Sequence, residues 1–343
     1  MPMVYKRVVW VDPVTETGVR RRARALPKTR APNPREGRSG RHAAVEEPPP
    51  NPGSRFRDLD AYRVEREWAR YEGNALRDLF RMLRVRFLHR HSADSSLPAL
   101  EVGPGPGRFS SHIGGPEHGR VLLDLSGEAL RLARENLLDP PSTRNAGASW
   151  FVRGDGRYPP LRAGRFGQVV LLGNSLGFAE TSAERLLDRS VELLAPGGVL
   201  LLEVVTGNGE RSRYLHRLPP GAIPRLLEAP TKLVVSRIDR EGFLPLPRER
   251  KAGHRFRRFD RRELEDLLAQ HRLSVEEWMS VAPATGKEPE RLSPVRSQAR
   301  SWEHLLRLEE VLGARPARQE NAAALLVAAR LPLDGPLRSR AHP

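Results

Sequence analysis

The sequence predicts an α/β protein in which a doubly wound, mostly parallel sheet is covered by helices on both faces. Three observations predict it. Short apolar runs without polar alternation, such as Val199-Leu200-Leu201-Leu202, are separated by segments of helical spacing, the pattern of strands buried on both sides. A glycine-rich loop, 103–107, lies between the first such run and a segment suited to open a helix. Acidic residues stand at the ends of successive runs, where open α/β sheets bind their ligands.

The elements follow in order. From Tyr62, apolar residues recur at helical intervals through Trp68, Tyr71, Leu76, Leu79, Phe80, Leu83, Val85 and Phe87. Strand one is expected at 97–102, and 108–113 is expected to open a helix. Strand two is 120–124, and Ser126 then caps a helix carrying Ala129, Leu130, Ala133 and Leu137. Strands three and four are 148–153 and 166–172. A helix over 183–194 ends at Ala195-Pro196-Gly197-Gly198 and leads into strand five, 199–205. From 206 to 255 the alternation stops. That stretch is rich in Arg and Pro, and its β-branched run Lys232–Ile238 reads as a strand. The pattern resumes with a helix from Phe259 through Leu268, strand six at 273–278, a helix over 302–312 and strand seven at 322–330.

Composition narrows the function classes. The apolar fraction is 38% and there are 31 prolines, so part of the chain is expected to be disordered. Residues 1–50 carry 11 basic and 5 acidic side chains, which suits a solvated tail or a nucleic-acid-binding arm. No apolar run reaches the length of about 18 residues that a membrane span needs, and no signal-peptide core opens the chain, so a cytoplasmic protein is expected. Without cysteine there is no disulfide framework and no thiolate metal site, and no His/Asp/Glu spacing suggests a metal. Net charge is +16, and 53 of the 58 basic residues are arginine. That balance suits an anionic partner such as RNA. A compositional bias raising Arg, Ala, Gly and Pro together explains it as well.

The glycine spacing selects the ligand. A dinucleotide loop reads G-x-G-x-x-G. Counted from Gly103 and Gly105, its third glycine would fall at Arg108. Here the glycines alternate, with an acid two residues before the first. Glu101-x-Gly103-x-Gly105-x-Gly107 resembles motif I of the class I S-adenosylmethionine (SAM)-dependent methyltransferases, and the resemblance extends over about 60–332 outside the insert. It implies a seven-stranded sheet whose last strand is antiparallel, with SAM as cofactor. It also implies the site residues. Glu101 lies toward the amino end of SAM, and Gly103, Gly105 and Gly107 let the backbone pass beneath it. Asp124, 17 residues past Gly107 and followed by Leu125, takes the ribose hydroxyls. Asp155, followed by Gly156, takes the adenine amino group. Gly173 opens the segment lining the donor methyl. The organisation expected is a disordered basic tail (1–55), a SAM-binding Rossmann-like core (56–205), an Arg-rich substrate cap (206–255), completion of the core (256–332) and a flexible tail (333–343).

Methyl transfer from a sulfonium requires in-line alignment and exclusion of water, and a base only where the acceptor must lose a proton. Asn174 and Glu203 are the candidate catalytic residues, with Tyr214 and His216 behind them. The [DNS]-P-P-[YF] motif of amino-methylating nucleic-acid enzymes is missing after strand four, where the chain reads Gly173-Asn174-Ser175-Leu176-Gly177-Phe178. Asp139-Pro140-Pro141-Ser142 precedes strand three and does not replace it. A small-molecule O or N acceptor is expected, and the arginines of the insert favour an anionic one. The alternatives are a tRNA or rRNA methyltransferase using the basic tail, and a non-catalytic SAM- or RNA-binding protein. The lack of cysteine excludes radical SAM chemistry and cysteine-dependent methylation of cytosine C5.

Overall fold

The computed structural model describes residues 74–92, 96–114, 118–138, 148–206, 209–246, 256–286 and 291–333. The expected tail 1–55, the opening of the helical pattern with Trp68 and Tyr71, and nearly all of 333–343 lie outside them. In chain order the principal elements are α1 (Ala75–Arg90), β1 (Ala99–Val102), β2 (Arg120–Asp124), α2 (Gly127–Leu138), β3 (Ser149–Arg153), β4 (Phe166–Leu171), α3 (Ser175–Phe178), α4 (Ala183–Leu193), β5 (Leu194–Val205), β6 (Glu210–Ser212), α5 (Arg213–Arg217), α6 (Ile223–Leu226), α7 (Thr231–Glu241), β7 (Phe243–Pro245), α8 (Arg261–Gln270), β8 (Ser274–Ser280), α9 (Ser293–Arg296), α10 (Ala299–Gly313), α11 (Pro316–Glu320) and β9 (Ala324–Arg330).

Seven strands form one sheet in the order β3-β2-β1-β4-β5-β9-β8. The first five are parallel, and β9 runs antiparallel between β5 and β8. The strand order reverses between β1 and β4, and there the carboxyl ends of adjacent strands open a crevice. Both sheet faces are covered. Leu79, Leu83, Phe87, Leu305 and Leu312 pack one face, and Leu186, Leu187, Leu264 and Leu268 the other. The predicted fold class, with its antiparallel final strand, is what the chain forms.

Two local expectations are corrected. Residues 108–113 make only a single 3-10 turn, Ser110–His112. A buried Arg120 guanidinium donates to the Ser110 carbonyl, which a continuing α-helix would need for the amide four residues on. The run 232–238 is helix α7, not a strand. Val234, Val235 and Ile238 fall on one buried face, and Gly242, at φ 77°, stops the helix by donating its N–H to the Ile238 carbonyl. Packing of that face overrides the β preference of a β-branched run.

The described part of the insert, 209–246, is therefore a built piece of structure. β6 and β7 pair antiparallel at its ends, with α5, α6 and α7 between them. Leu215, Ile223, Leu227, Val234 and Ile238 share one apolar cluster with α1 and α10. The Ser212 N–H also bonds to the Ala284 carbonyl, joining the insert to the segment after β8.

Candidate functional site

The site grows from the end of β1. After Val102 the Gly103 N–H donates to the Leu123 carbonyl at 2.8 Å, so the loop starts as a continuation of the β1–β2 pair. Gly103, Gly105 and Gly107 all have positive φ, at 72°, 54° and 79°. The outer two are needed for packing: a Cβ at Gly103 would lie 2.7 Å from Ser175 Oγ, and one at Gly107 2.8 Å from Ala133 Cβ. Gly105 differs, because a Cβ there would meet nothing within 4 Å. The same holds for Gly173, at φ 66° after β4. Two glycines in the left-handed region thus face open space at the ends of neighbouring strands, where a ligand can approach the backbone.

Asp124 closes the loop from below. Its Oδ2 accepts the Gly105 N–H at 3.0 Å and its Oδ1 the Ser126 N–H at 2.8 Å. Ser126 Oγ in turn caps α2 through the Ala129 N–H at 3.1 Å. Burial pushes the Asp124 carboxyl above its usual range against the pull of these amides. A carboxylate has about four acceptor directions, so the backbone bonds from Gly105, Leu125 and Ser126 leave it able to take a hydroxyl donor.

Glu101 is buried, and its carboxylate takes the Ser110 hydroxyl. Burial raises it to about 7, against the Ser110 hydrogen bond and the nearby Arg120 charge. It braces the glycine loop from inside. Leu125 follows Asp124, and its carbonyl accepts Arg153 Nε at 3.3 Å. In the turn after β3, Asp155 is bound by its own neighbour Arg157 through backbone N–H and guanidinium. A Cβ at Gly156 would fall 2.7 Å from Val102 Cγ1 and 2.8 Å from Leu186 Cδ1, so this turn packs tightly against the end of β1.

The two candidate catalytic residues are held by the scaffold. Glu203, 3% exposed near the end of β5, is clasped by the Arg84 guanidinium of α1 and accepts the Gly173 N–H at 2.9 Å. Burial would raise its pKa, but the Arg84 charge, the Arg84 hydrogen bonds and the Gly173 amide together outweigh that and hold it below the ordinary carboxylate range. Such a group is a poor proton acceptor and a good anchor for Gly173. Asn174, left-handed at φ 66°, accepts the Val205 N–H on Oδ1 at 3.0 Å, while its buried Nδ2 has no hydrogen-bond partner. Its carboxamide lies against Gly177, where a Cβ would be 2.4 Å from Oδ1. Tyr214 is buried in the apolar cluster beneath the Arg237 guanidinium. The His216 ring lies 3.4 Å from Arg211 Nη2 and is pushed down by desolvation and by the charges of Arg211 and Arg291.

The structure thus gathers Glu101, the three loop glycines, Asp124, Asp155, Gly156, Gly173, Asn174 and Glu203 along the carboxyl ends of β1 to β5. Arg84, Ser110, Arg120 and Arg157 support them and were not read from the sequence. Arg157, two residues from Asp155, was within local reach. Arg84 is 119 residues from Glu203, and only the fold brings them together. Among the described residues no group of His, Asp and Glu could hold a metal ion, and no helix is long and apolar enough to cross a membrane.

Fold and site together have the arrangement expected of a class I SAM-dependent methyltransferase. A family model described as "Methyltransferase domain" matches residues 100–202. No curated protein sequence matches it. Among solved structures, it is similar to the glycopeptide N-methyltransferase MtfA, at 19% identity, with 73% of this chain and 95% of that one covered and a TM-score of 0.42. A SAM-dependent methyltransferase from Methanosarcina mazei is similar at 17% identity, covering 72% and 98% with a TM-score of 0.41. So is geranyl diphosphate C-methyltransferase from Streptomyces coelicolor A3(2), at 13% identity, covering 72% and 74% with a TM-score of 0.40. Likenesses this distant bear on neither acceptor nor partner.

Proposed function

We propose that the chain transfers the methyl group of SAM to an oxygen or nitrogen of a small, cytoplasmic acceptor enclosed by the insert 206–255. The open backbone at Gly105 and Gly173 fits the cofactor, and these residues with Asp124 and Asp155 would hold it. When bound, SAM supplies an activated methyl on a cationic sulfur. The protein's own work is then geometric. Gly105 and Gly173 allow close approach, Asp124 receives the ribose hydroxyls, and Asp155 receives the base amino group. Arg84 and Glu203 fix Gly173, which lines the methyl, and the cap excludes water.

The observation that carries the acceptor reading is the construction of the insert. Its helices share a core with α1 and α10, which suits an enclosing wall more than an open nucleic-acid groove. Arg211 and Arg291 bring positive charge to that wall, enough to help depress the neighbouring His216, and favour an anionic acceptor. With Glu203 held ionised by Arg84 and Asn174 bonded to β5, both act as positioning residues, and acceptors that need no strong base are preferred. The test is incubation with methyl-labelled SAM and a lysate separated into metabolite, RNA and protein fractions. Label in metabolites is expected. Label in RNA would replace this reading with the RNA methyltransferase alternative, and no transfer to any fraction would favour a non-catalytic binding protein.

A further inference from the structure

Arg157 is 7% exposed in a chain rich in arginine. A buried guanidinium must be paired and hydrogen-bonded. Its partner is Asp155, the residue at the expected base-binding end of the cofactor site. Asp155 Oδ1 accepts the Arg157 backbone N–H at 2.9 Å and Nε at 3.0 Å. Oδ2 accepts Nε at 3.1 Å and Nη2 at 2.6 Å. The remaining nitrogen, Nη1, reaches Ser182 Oγ at 3.5 Å, immediately before α4. The Tyr158 N–H bonds to the Asp155 carbonyl at 2.9 Å, closing the turn. Gly156, between the pair, has no room for a Cβ against Val102 and Leu186. The carboxylate is therefore fixed at both ends: by the fork on its oxygens and by a packed turn on its backbone.

We propose that Arg157 sets the preference of this site for a 6-aminopurine, by holding Asp155 in one orientation as an acceptor for the exocyclic amino group of the cofactor base. This rests on the reading of Asp155 given above. An ionised carboxylate only accepts hydrogen bonds. It pairs with an amino group and opposes a 6-oxo group, whose lone pairs face its own. Discrimination of this kind depends on the acceptor being unable to turn away or to gain a proton. A fork fixes a carboxylate plane in a way that a single ammonium does not. Arg157 is on this account a positioning residue, acting through Asp155.

The test is calorimetry on the full chain with S-adenosylhomocysteine and its 6-oxo counterpart, S-inosylhomocysteine, with thermal melting as the folding control. The wild type is expected to prefer the amino ligand by about tenfold or more, the worth of one charged hydrogen bond. In Arg157→Gln the amino ligand should weaken about tenfold and the oxo ligand by no more than about twofold, so the preference collapses. Arg157→Lys, which keeps the charge without the fork, should fall between them and carries the test if Arg157→Gln does not fold. Equal weakening of both ligands would show a merely structural role and overturn the proposal, as would an unchanged preference. A wild type that binds both ligands equally would instead refute the role of Asp155. One that binds neither would refute the SAM site itself.

Discussion

The proposed donor side and the proposed acceptor side of this molecule are built in different ways. On the donor side, each functional group sits at the end of a strand and is held by near neighbours: Asp124 by Gly105 and Ser126, Asp155 by Arg157. On the acceptor side, the wall is made from segments far apart in sequence. Ser212 bonds to Ala284, Arg291 donates to the carbonyl of Leu215, and Glu309 holds the loop of Ala284 and Thr285. A site made of strand ends leaves a local signature in the chain. A wall made by packing leaves almost none.

The sharpest break in that contrast is Glu203, which belongs to the donor side yet is held by Arg84 of α1. Arg84→Met leaves a buried carboxylate without its cation. Chemical denaturation should show a loss of about 3–5 kcal/mol, and Arg84→Met with Glu203→Leu should recover much of it. If the single variant is as stable as wild type, the donor side does not depend on this distant anchor. A smaller effect, about 2 kcal/mol in ligand affinity, is expected for Asp124→Asn, which replaces one acceptor oxygen with a donor facing backbone amides. Calorimetry with S-adenosylhomocysteine reads it. Gly177→Ala tests the seam between the two sides. Its Cβ would sit 2.4 Å from Asn174 Oδ1 and 2.7 Å from the Arg257 carbonyl, so a cost of about 1–3 kcal/mol is expected in the same denaturation assay.

The smallest effect is on pH dependence. Burial raises Glu101 on the donor side and Glu309 on the acceptor side, each to about 7. An acid with a raised folded pKa holds more protons in the folded than in the unfolded chain between about 4.5 and 7. The contribution of these two acids to stability should therefore fall as pH rises through that window and level off above it, while His112, pushed down to about 4 mainly by burial, contributes in the opposite sense. Denaturation midpoints at pH 5 and pH 8 check this. Glu309→Gln and Glu101→Gln should each reduce the slope, which apportions it between the two sides. A slope unchanged in both variants would remove these residues as its source.

The same contrast explains what the sequence disclosed. The strands of the sheet, the alternating glycines and Asp124 were legible because buried parallel strands have a continuous apolar signature and the loop glycines have backbone reasons to be glycine. The run 232–238 misled because its β-branched residues speak for a strand, while the buried face of Val234, Val235 and Ile238 is defined by its packing, on α5 and α10 among others. The expected helix at 108–113 was lost to a buried arginine, Arg120, that arrives from the next strand. Glu203 read as a catalytic candidate at a strand end because nothing near it in the chain announces Arg84.

The central claim is that the open backbone at Gly105, above Asp124, is where the cofactor lies. Calorimetric titration of S-adenosylhomocysteine into the wild type and into Gly105→Arg with Asp124→Ala tests it most directly. The arginine would project into space that is empty around Gly105, and the alanine would remove the ribose acceptor. Binding by the wild type and a loss of at least about a hundredfold in the double variant, with melting still cooperative, is the result predicted. Unchanged affinity in a folded double variant would contradict it and move the cofactor elsewhere.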